Sequence, residues 1–166
     1  MDADNGFEEF YRTTRHRVVT VLYALGGDLT EAQDAAQEAY VRAWQRWTRI
    51  SGYEDPEAWV RTVGHRLLIN RWRKVRNGLT AHRRHGPAPD VGPPSENTVA
   101  LVTALRRLPA EQRHAIVLHH LCDLSIAEIA VQTDTPAGTV KARLARGRKA
   151  LATLLDITLP EEVSHA

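Results

Sequence analysis

Leu124-Ser-Ile-Ala-Glu-Ile-Ala130, Val131-Gln-Thr-Asp-Thr-Pro136 and Ala137-Gly-Thr-Val-Lys-Ala-Arg-Leu-Ala-Arg-Gly-Arg-Lys149 follow one another without a break. Ser125 and Glu128 have capping-box spacing, in which hydroxyl and carboxylate each satisfy an orphan amide at a helix start, and Leu124 with Ile129 has the spacing of a hydrophobic staple. Asp134 follows one short helix and can turn the chain, because Asp tolerates the left-handed conformation better than most residues. Thr135-Pro136 reads as an N-cap with a first-turn proline for a second helix. Two short helices across a tight turn predict a helix-turn-helix.

The second helix carries Lys141, Arg143, Arg146, Arg148 and Lys149, with no acidic residue between Asp134 and Asp156. Val140, Leu144 and Leu151 form its inward stripe at helical spacing. An apolar back, a cationic front and small or hydroxyl residues near the N-terminus suit a helix that approaches base edges in a DNA groove. A solvated basic helix on an ordinary bundle is the bland alternative. It explains the charge but not the box, turn and cap that stand in register with it.

Length and charge set the frame. A chain of 166 residues suits one domain or two small ones, and its net charge is only +2. The charge is unevenly spread: Asp28, Glu31, Asp34 and Glu38 crowd one stretch, whereas Arg66–Arg76 and Lys141–Lys149 are basic throughout. This asymmetry predicts one surface for nucleic acid and another for a different partner. The single cysteine, Cys122, excludes an internal disulfide and fits a reducing cytoplasm. No apolar run approaches membrane-spanning length and the acidic N-terminus is no secretory signal, so cytoplasmic placement without membrane insertion is expected.

In chain order, a first helix is predicted over about Asp4–Leu25 with Phe7, Phe10, Val18, Val21, Leu22 and Leu25 buried, ended by Gly26-Gly27. Thr30 with Gln33 predicts a capping box for a second helix through about Trp47, with Ala36, Tyr40, Ala43, Trp44 and Trp47 inward. Asp34, Glu38 and Arg42 share a different face, read either as solvated with a weak Glu38–Arg42 pair or as a meeting surface for a basic partner. Asp55-Pro56-Glu57 starts a helix to about Arg76. On it, Trp59, Val60, Val63 and Leu67 cluster on one side, with Arg61, His65, Ile69, Trp72 and Arg76 opposite. Trp72 among cations fits base stacking on a single strand. It fits equally a ring packed on a neighbouring helix.

Gly and Pro interrupt the chain from Asn77 to about Ser95, which predicts a flexible linker over 78–95 between helical domains at 1–77 and 96–158. Arg83-Arg84 within it could touch phosphate, though such a pair is usually only solvated. Val99, Val102, Leu105 and Leu108 then suggest a helix, and Pro109 starts another through about Leu121 with Ile116, Val117, Leu118 and Leu121 as core. No strand pattern occurs, so the fold class is all-α: two small helical domains, the second containing the helix-turn-helix.

With these residues placed, the chain resembles the extracytoplasmic-function (ECF) group of bacterial sigma factors, the RNA polymerase subunits that choose promoters. Asp34-Ala-Ala-Gln37-Glu38-Ala-Tyr40-Val-Arg42-Ala-Trp44 is similar to the family helix that grips the polymerase clamp. Pro56-Glu-Ala-Trp59-Val-Arg61-Thr-Val63 leads into a helix similar to the one that captures melted promoter DNA. Leu108-Pro-Ala-Glu-Gln-Arg113, Leu124–Ala130 and Gly138-Thr-Val-Lys-Ala-Arg143 resemble the family's second domain, which reads the upstream promoter element. The chain departs from the pattern at Gly64-His65-Arg66, where relatives commonly have Ala-Arg-Asn, and at Thr133-Asp134, where Leu-Gly is usual.

The resemblance implies that Asp34, Gln37 and Glu38 dock on core RNA polymerase. It implies that Arg61, His65, Arg66, Trp72 and Arg73 hold the minus-ten element, beside a loop near Ile50–Glu54 that receives a base. Thr139, Lys141, Arg143 and Arg146 would contact the minus-thirty-five element. Core RNA polymerase and promoter DNA are thus the implied partners, and members of the family are often restrained by an anti-sigma factor. No catalytic residue, cofactor or metal is implied, since the polymerase performs the chemistry. Two other readings stand beside this one. A repressor or activator could share the helix-turn-helix, and His119 with Cys122 could supply half of a tetrahedral metal site, though no second ligand pair stands at metal spacing.

Overall fold

The structure, a computed structural model, describes residues 2–78 and 92–156. It contains eight helices and no strand among the described residues. The chain divides into two compact units between Pro93 and Pro94. The predicted linker lies mostly outside the described residues, as do Arg83 and Arg84.

In the first unit, α1 (Asp2–Gly26), α2 (Leu29–Gln45) and α4 (Pro56–Arg76) pack pairwise around one core, with the single-turn α3 (Trp47–Ile50) beside α1 and α2. The predicted stop at Gly26-Gly27 holds: Gly27 takes φ 78°, and its amide donates to the Tyr23 carbonyl at 2.7 Å. Val18, Val21, Leu22 and Leu25 of α1 are buried as expected. Phe7 and Phe10 are only half-buried and meet Trp47, their ring centroids 5.4 and 4.9 Å from its ring.

The α2 cap differs from expectation. Asp28 caps the helix, its Oδ1 accepting from the Glu31 amide at 2.9 Å, and Thr30 is exposed within the first turn. The chain enters the helix directly after Gly27, so the nearest acceptor able to reach an orphan amide is Asp28. The inward stripe is correct for Ala36, Tyr40 and Ala43 and wrong for Trp44, which is 55% exposed. Ala32, Ala35 and Ala39 are also buried, so the covered arc lies farther round the helix, away from Trp44. The helix ends at Gln45, and Trp47 opens α3 instead of closing α2. Buried between α1 and α2, the Tyr40 hydroxyl lies 2.6 Å from Thr14 Oγ1. Thr14 donates to the Phe10 carbonyl at 2.7 Å, which leaves Tyr40 as the donor to Thr14. Burial pushes the Tyr40 phenol up, so it stays neutral.

Asp55 caps α4 as predicted, accepting from the Ala58 amide at 3.0 Å, with Pro56 in the first turn. The buried line of α4 is Val60, Gly64 and Leu68, at steps of four; Trp59, Val63 and Leu67 are half-buried. The expected stripe thus had Val60 right and was rotated toward Trp59 by the pull of its large apolar residues. Gly64 is buried because α4 comes so close to α1 there that no side chain fits between them. A Cβ on Gly64 would stand 2.7 Å from Leu22 Cδ1.

The second unit comprises α5 (Glu96–Arg106), α6 (Ala110–His120), α7 (Ile126–Gln132) and α8 (Ala137–Leu155). Ser95 caps α5 by accepting from the Thr98 amide at 3.2 Å. Val102, Leu105, Leu108, Ile116, Val117, Leu118, Ile129, Val140 and Leu144 form the core. Two predicted core residues are exposed instead, Val99 at 41% and Leu121 at 38%. Val99 lies in the first turn of α5, and Leu121 is the residue beyond the end of α6, where the helical period no longer aims a side chain inward.

Candidate nucleic-acid interface and docking surface

The helix-turn-helix is present and its capping box is complete. Ser125 Oγ accepts from the Glu128 amide at 3.1 Å, and the Glu128 carboxylate accepts from the Ser125 amide at 2.9 Å. Leu124 and Ile129 are both buried beside it. Asp134 turns the chain with φ 48°, in the left-handed region that its sequence position suggested. The cap of α8 is corrected: Pro136 occupies the N-cap with no side-chain hydrogen bond. Thr135 Oγ1 donates instead to the Thr133 carbonyl at 3.0 Å, which binds it into the turn and away from the helix start.

The face that α8 turns to solvent carries Gly138, Lys141, Ala145, Arg146 and Lys149, opposite buried Val140, Leu144 and Gly147. Leu151, predicted inward, is half-buried. Small residues thus occupy the middle of the exposed face with cations around them, so a backbone-close approach to a groove meets little steric bulk. Thr139 is half-buried near the start of the helix. Gly147 faces α6, where a Cβ would stand 2.8 Å from Ile116 Cγ1.

Arg143 does not face outward as expected. Its side chain is 27% exposed and its Nη2 lies 3.5 Å from Glu111 Oε2, in the first turn of α6. His114, one turn farther along α6, has its pKa lowered by burial first and then by the charges of Arg143 and Arg113. Farther along, Arg148 Nε donates to His120 Nε2 at 3.2 Å. The cations of α8 are therefore of two kinds, those held against α6 and those presented to solvent. His119 Nδ1 is 2.8 Å from the Leu124 carbonyl, and no group of three or more metal-ligating side chains occurs among the described residues.

In the first unit, Gln37 is exposed while Asp34 and Glu38 are half-buried, all on α2. Glu38 accepts from Arg42 at 2.8 Å, the pair expected from spacing, and from Arg71 Nη2 of α4 at 3.4 Å. Arg71 also reaches the Glu31 carbonyl at 3.4 Å. Arg71 was absent from the sequence-derived site, because only the packing of α4 on α2 brings it to the acidic face. Val41 and Trp44, 49% and 55% exposed, add an apolar surface to the same helix. Gln37 borders a shallow groove lined by Tyr11, Arg15, Val19 and Tyr40.

Along α4, Arg66 and Arg73 are exposed, and Arg61 and His65 are half-buried. Lys74, Val75 and Arg76 extend the exposed cationic end, with Val75 61% exposed. Trp72 is half-buried, and its Cζ2 would lie 3.2 Å from a Cβ on Gly26. The indole therefore rests against the end of α1 while part of it remains in solvent. Ile50 is buried at the end of α3, and residues 51–55 form an exposed loop before α4. No described helix is long and apolar enough to cross a membrane.

Two helical units, one presenting an acidic and apolar helix beside a cationic one, the other a helix-turn-helix, fit the class of helical DNA-binding proteins. Comparison with known proteins narrows this class. Residues 10–78 match the sigma-70 region 2 family and residues 98–151 match sigma-70 region 4. The chain is similar to the ECF RNA polymerase sigma factor SigL of Mycobacterium tuberculosis, 33% identical over 145 residues, covering 82% of each chain. It is similar also to the ECF RNA polymerase sigma factor SigW of Bacillus subtilis, 28% identical over 163 residues, covering 89% of this chain and 87% of the relative. Its fold is like that of the sigma factor RpoE of Bartonella quintana, solved in complex with the anti-sigma factor NepR. That match has a TM-score of 0.74 at 21% identity and covers 93% of this chain and 99% of the other. The chain belongs to the ECF group of RNA polymerase sigma factors.

Proposed function

We infer that this protein binds core RNA polymerase and directs it to promoters, where it takes part in DNA opening and the start of transcription. The observation that carries the reading is the ordered pair of sigma-70 regions, 2 and then 4, each falling on a separate helical unit. In this reading Asp34, Gln37 and Glu38 dock on the polymerase. Carboxylates repel DNA phosphate, so an acidic helix in a DNA-binding protein suits a basic protein surface. Arg61, His65, Arg66, Trp72 and Arg73 hold the minus-ten element. Thr139, Lys141, Arg143 and Arg146 serve the minus-thirty-five element, with Lys141 and Arg146 the outward contacts. The two units act as separate readers of the two elements. The polymerase supplies the catalysis, and the protein acts in the cytoplasm.

An anti-sigma factor is a further proposed partner, by analogy with the Bartonella sigma factor solved in such a complex. The test of the main reading is run-off transcription by core polymerase with and without the chain on a set of candidate promoters. New, promoter-specific transcripts are expected. Failure of the chain to bind core polymerase would overturn the reading.

A further inference from the structure

Among the described residues, Arg143 is the one cation of the recognition helix within ion-pair distance of an acidic side chain. The Glu111 carboxylate stands 3.5 Å from its Nη2, and a guanidinium carries five N–H donors, more than one carboxylate can take up. The Arg143 side chain as a whole is mostly covered, whereas the Glu111 side chain is 74% exposed. The acid is thus the accessible partner and the cation the restrained one. The helix beneath packs closely on its neighbour, since α6 and α8 meet at Gly147 and Ile116. His114, its charged form disfavoured by burial, flanks the guanidinium on the α6 side as a neutral neighbour. A half-covered ion pair of this kind adds little to folding, because solvent screening and side-chain entropy offset most of its attraction. Its effect on where the guanidinium lies is larger, because a carboxylate beside one end of the planar fork biases the side chain toward α6.

We propose that Glu111 is a positioning residue for promoter recognition: it anchors Arg143 on the α6 side of α8, so that this cation meets the duplex in one orientation instead of seizing any nearby phosphate. The proposal rests on the sigma-factor reading and adds a residue that the sequence-derived site did not contain. Without its anchor, Arg143 becomes a mobile point of positive charge. It then neutralises a phosphate on any sequence, which strengthens non-specific binding and steepens its dependence on salt. Promoter preference falls as a result, because a phosphate contact carries no sequence information.

The test uses the full chain assembled with core polymerase, on a promoter duplex and on a scrambled duplex of equal length, titrated with salt. Glu111→Gln is expected to tighten binding to the scrambled duplex, to increase the slope of log affinity against log salt by about 0.9, and to lower the promoter-to-scrambled ratio roughly tenfold. Glu111→Asp keeps the charge but shortens the reach by one methylene, and is expected to behave like Glu111→Gln. In an Arg143→Ala background both substitutions should have no further effect. Circular dichroism should be the same for all variants, as Glu111 is exposed. Wild-type behaviour of Glu111→Asp would show that only net charge matters and overturn the proposal, as would an undiminished effect of Glu111→Gln in the Arg143→Ala background. Failure of the wild-type chain to bind core or prefer the promoter would overturn the sigma-factor reading, and the proposal with it.

Discussion

Glu38 Oε2 stands 3.4 Å from Arg71 Nη2, so the helix proposed to dock on polymerase and the helix proposed to hold the minus-ten element share an ion pair. Arg42 closes on the other carboxylate oxygen at 2.8 Å. Both pairs are substantially open to solvent, and such pairs contribute about 0–1 kcal/mol to folding. A charge that becomes buried and paired at an interface is different, and its truncation costs on the order of 2–5 kcal/mol of binding. Asp34→Ala with Glu38→Ala is therefore expected to leave the thermal melt nearly unchanged while sharply reducing co-purification with core polymerase. Arg71→Ala separates the two roles, and it should disturb neither the melt nor core binding. Equal loss of core binding in both variants would mean that the Glu38–Arg71 pair supports the fold instead of the docking.

The contact between Gly64 and Leu22 sets a second expectation. Alanine at Gly64 gains about 1 kcal/mol of helix propensity but forces a methyl to 2.7 Å from Leu22 Cδ1, and overpacking of this kind costs about 1–3 kcal/mol. Leu22 is fully buried and has little room to yield. Gly64→Ala should therefore be mildly destabilising and Gly64→Val clearly so. Leu22→Val should relieve part of the Gly64→Ala loss, giving a double mutant more stable than the sum of its parts in urea unfolding. Strict additivity would show that the two helices part easily at this point.

The exposed cations of α8 are expected to respond separately from its core. Lys141→Ala and Arg146→Ala should each weaken binding to the upstream element by about 1–3 kcal/mol without affecting stability. Leu144→Ala, at a fully buried position, should cost about 2–5 kcal/mol of stability. Gel-shift titration beside thermal melting distinguishes the three. Unaltered affinity in both cation variants would remove the outward face of α8 from the interface.

Acid should weaken the second unit through His114. Its folded pKa is lowered from the ordinary 6.5 by burial, then by Arg143 and Arg113. The unfolded chain therefore takes up the proton first as pH falls. Stability is fully present above about pH 6.5 and declines below it, until the folded form is protonated as well. His120, lowered by burial and by Arg148, acts in the same direction. Urea unfolding near pH 7.5 and near pH 5.5 should show the loss, and His114→Gln should flatten it. A variant with the wild-type pH dependence would rule His114 out as its source.

The sequence by itself determined the all-α class, the helix-turn-helix and most of the helix starts. Asp55, the Ser125–Glu128 box and the left-handed Asp134 were legible because each is made among residues at most four apart, where backbone geometry settles the partner. The buried faces were legible only approximately. Hydrophobic period finds a stripe, but the neighbours decide which side of it is covered. Thus Trp44 is largely exposed while alanines of α2 are buried, and Gly64, which no apolar pattern marks, lies where α4 comes close against Leu22 of α1. Only the tertiary structure could join Arg71 to Glu38 or Arg143 to Glu111, because the charges of each pair stand on different helices. Residue type and spacing identify a cation on a helix. Whether it is held or presented depends on which helix packs beside it, and that is decided by the core.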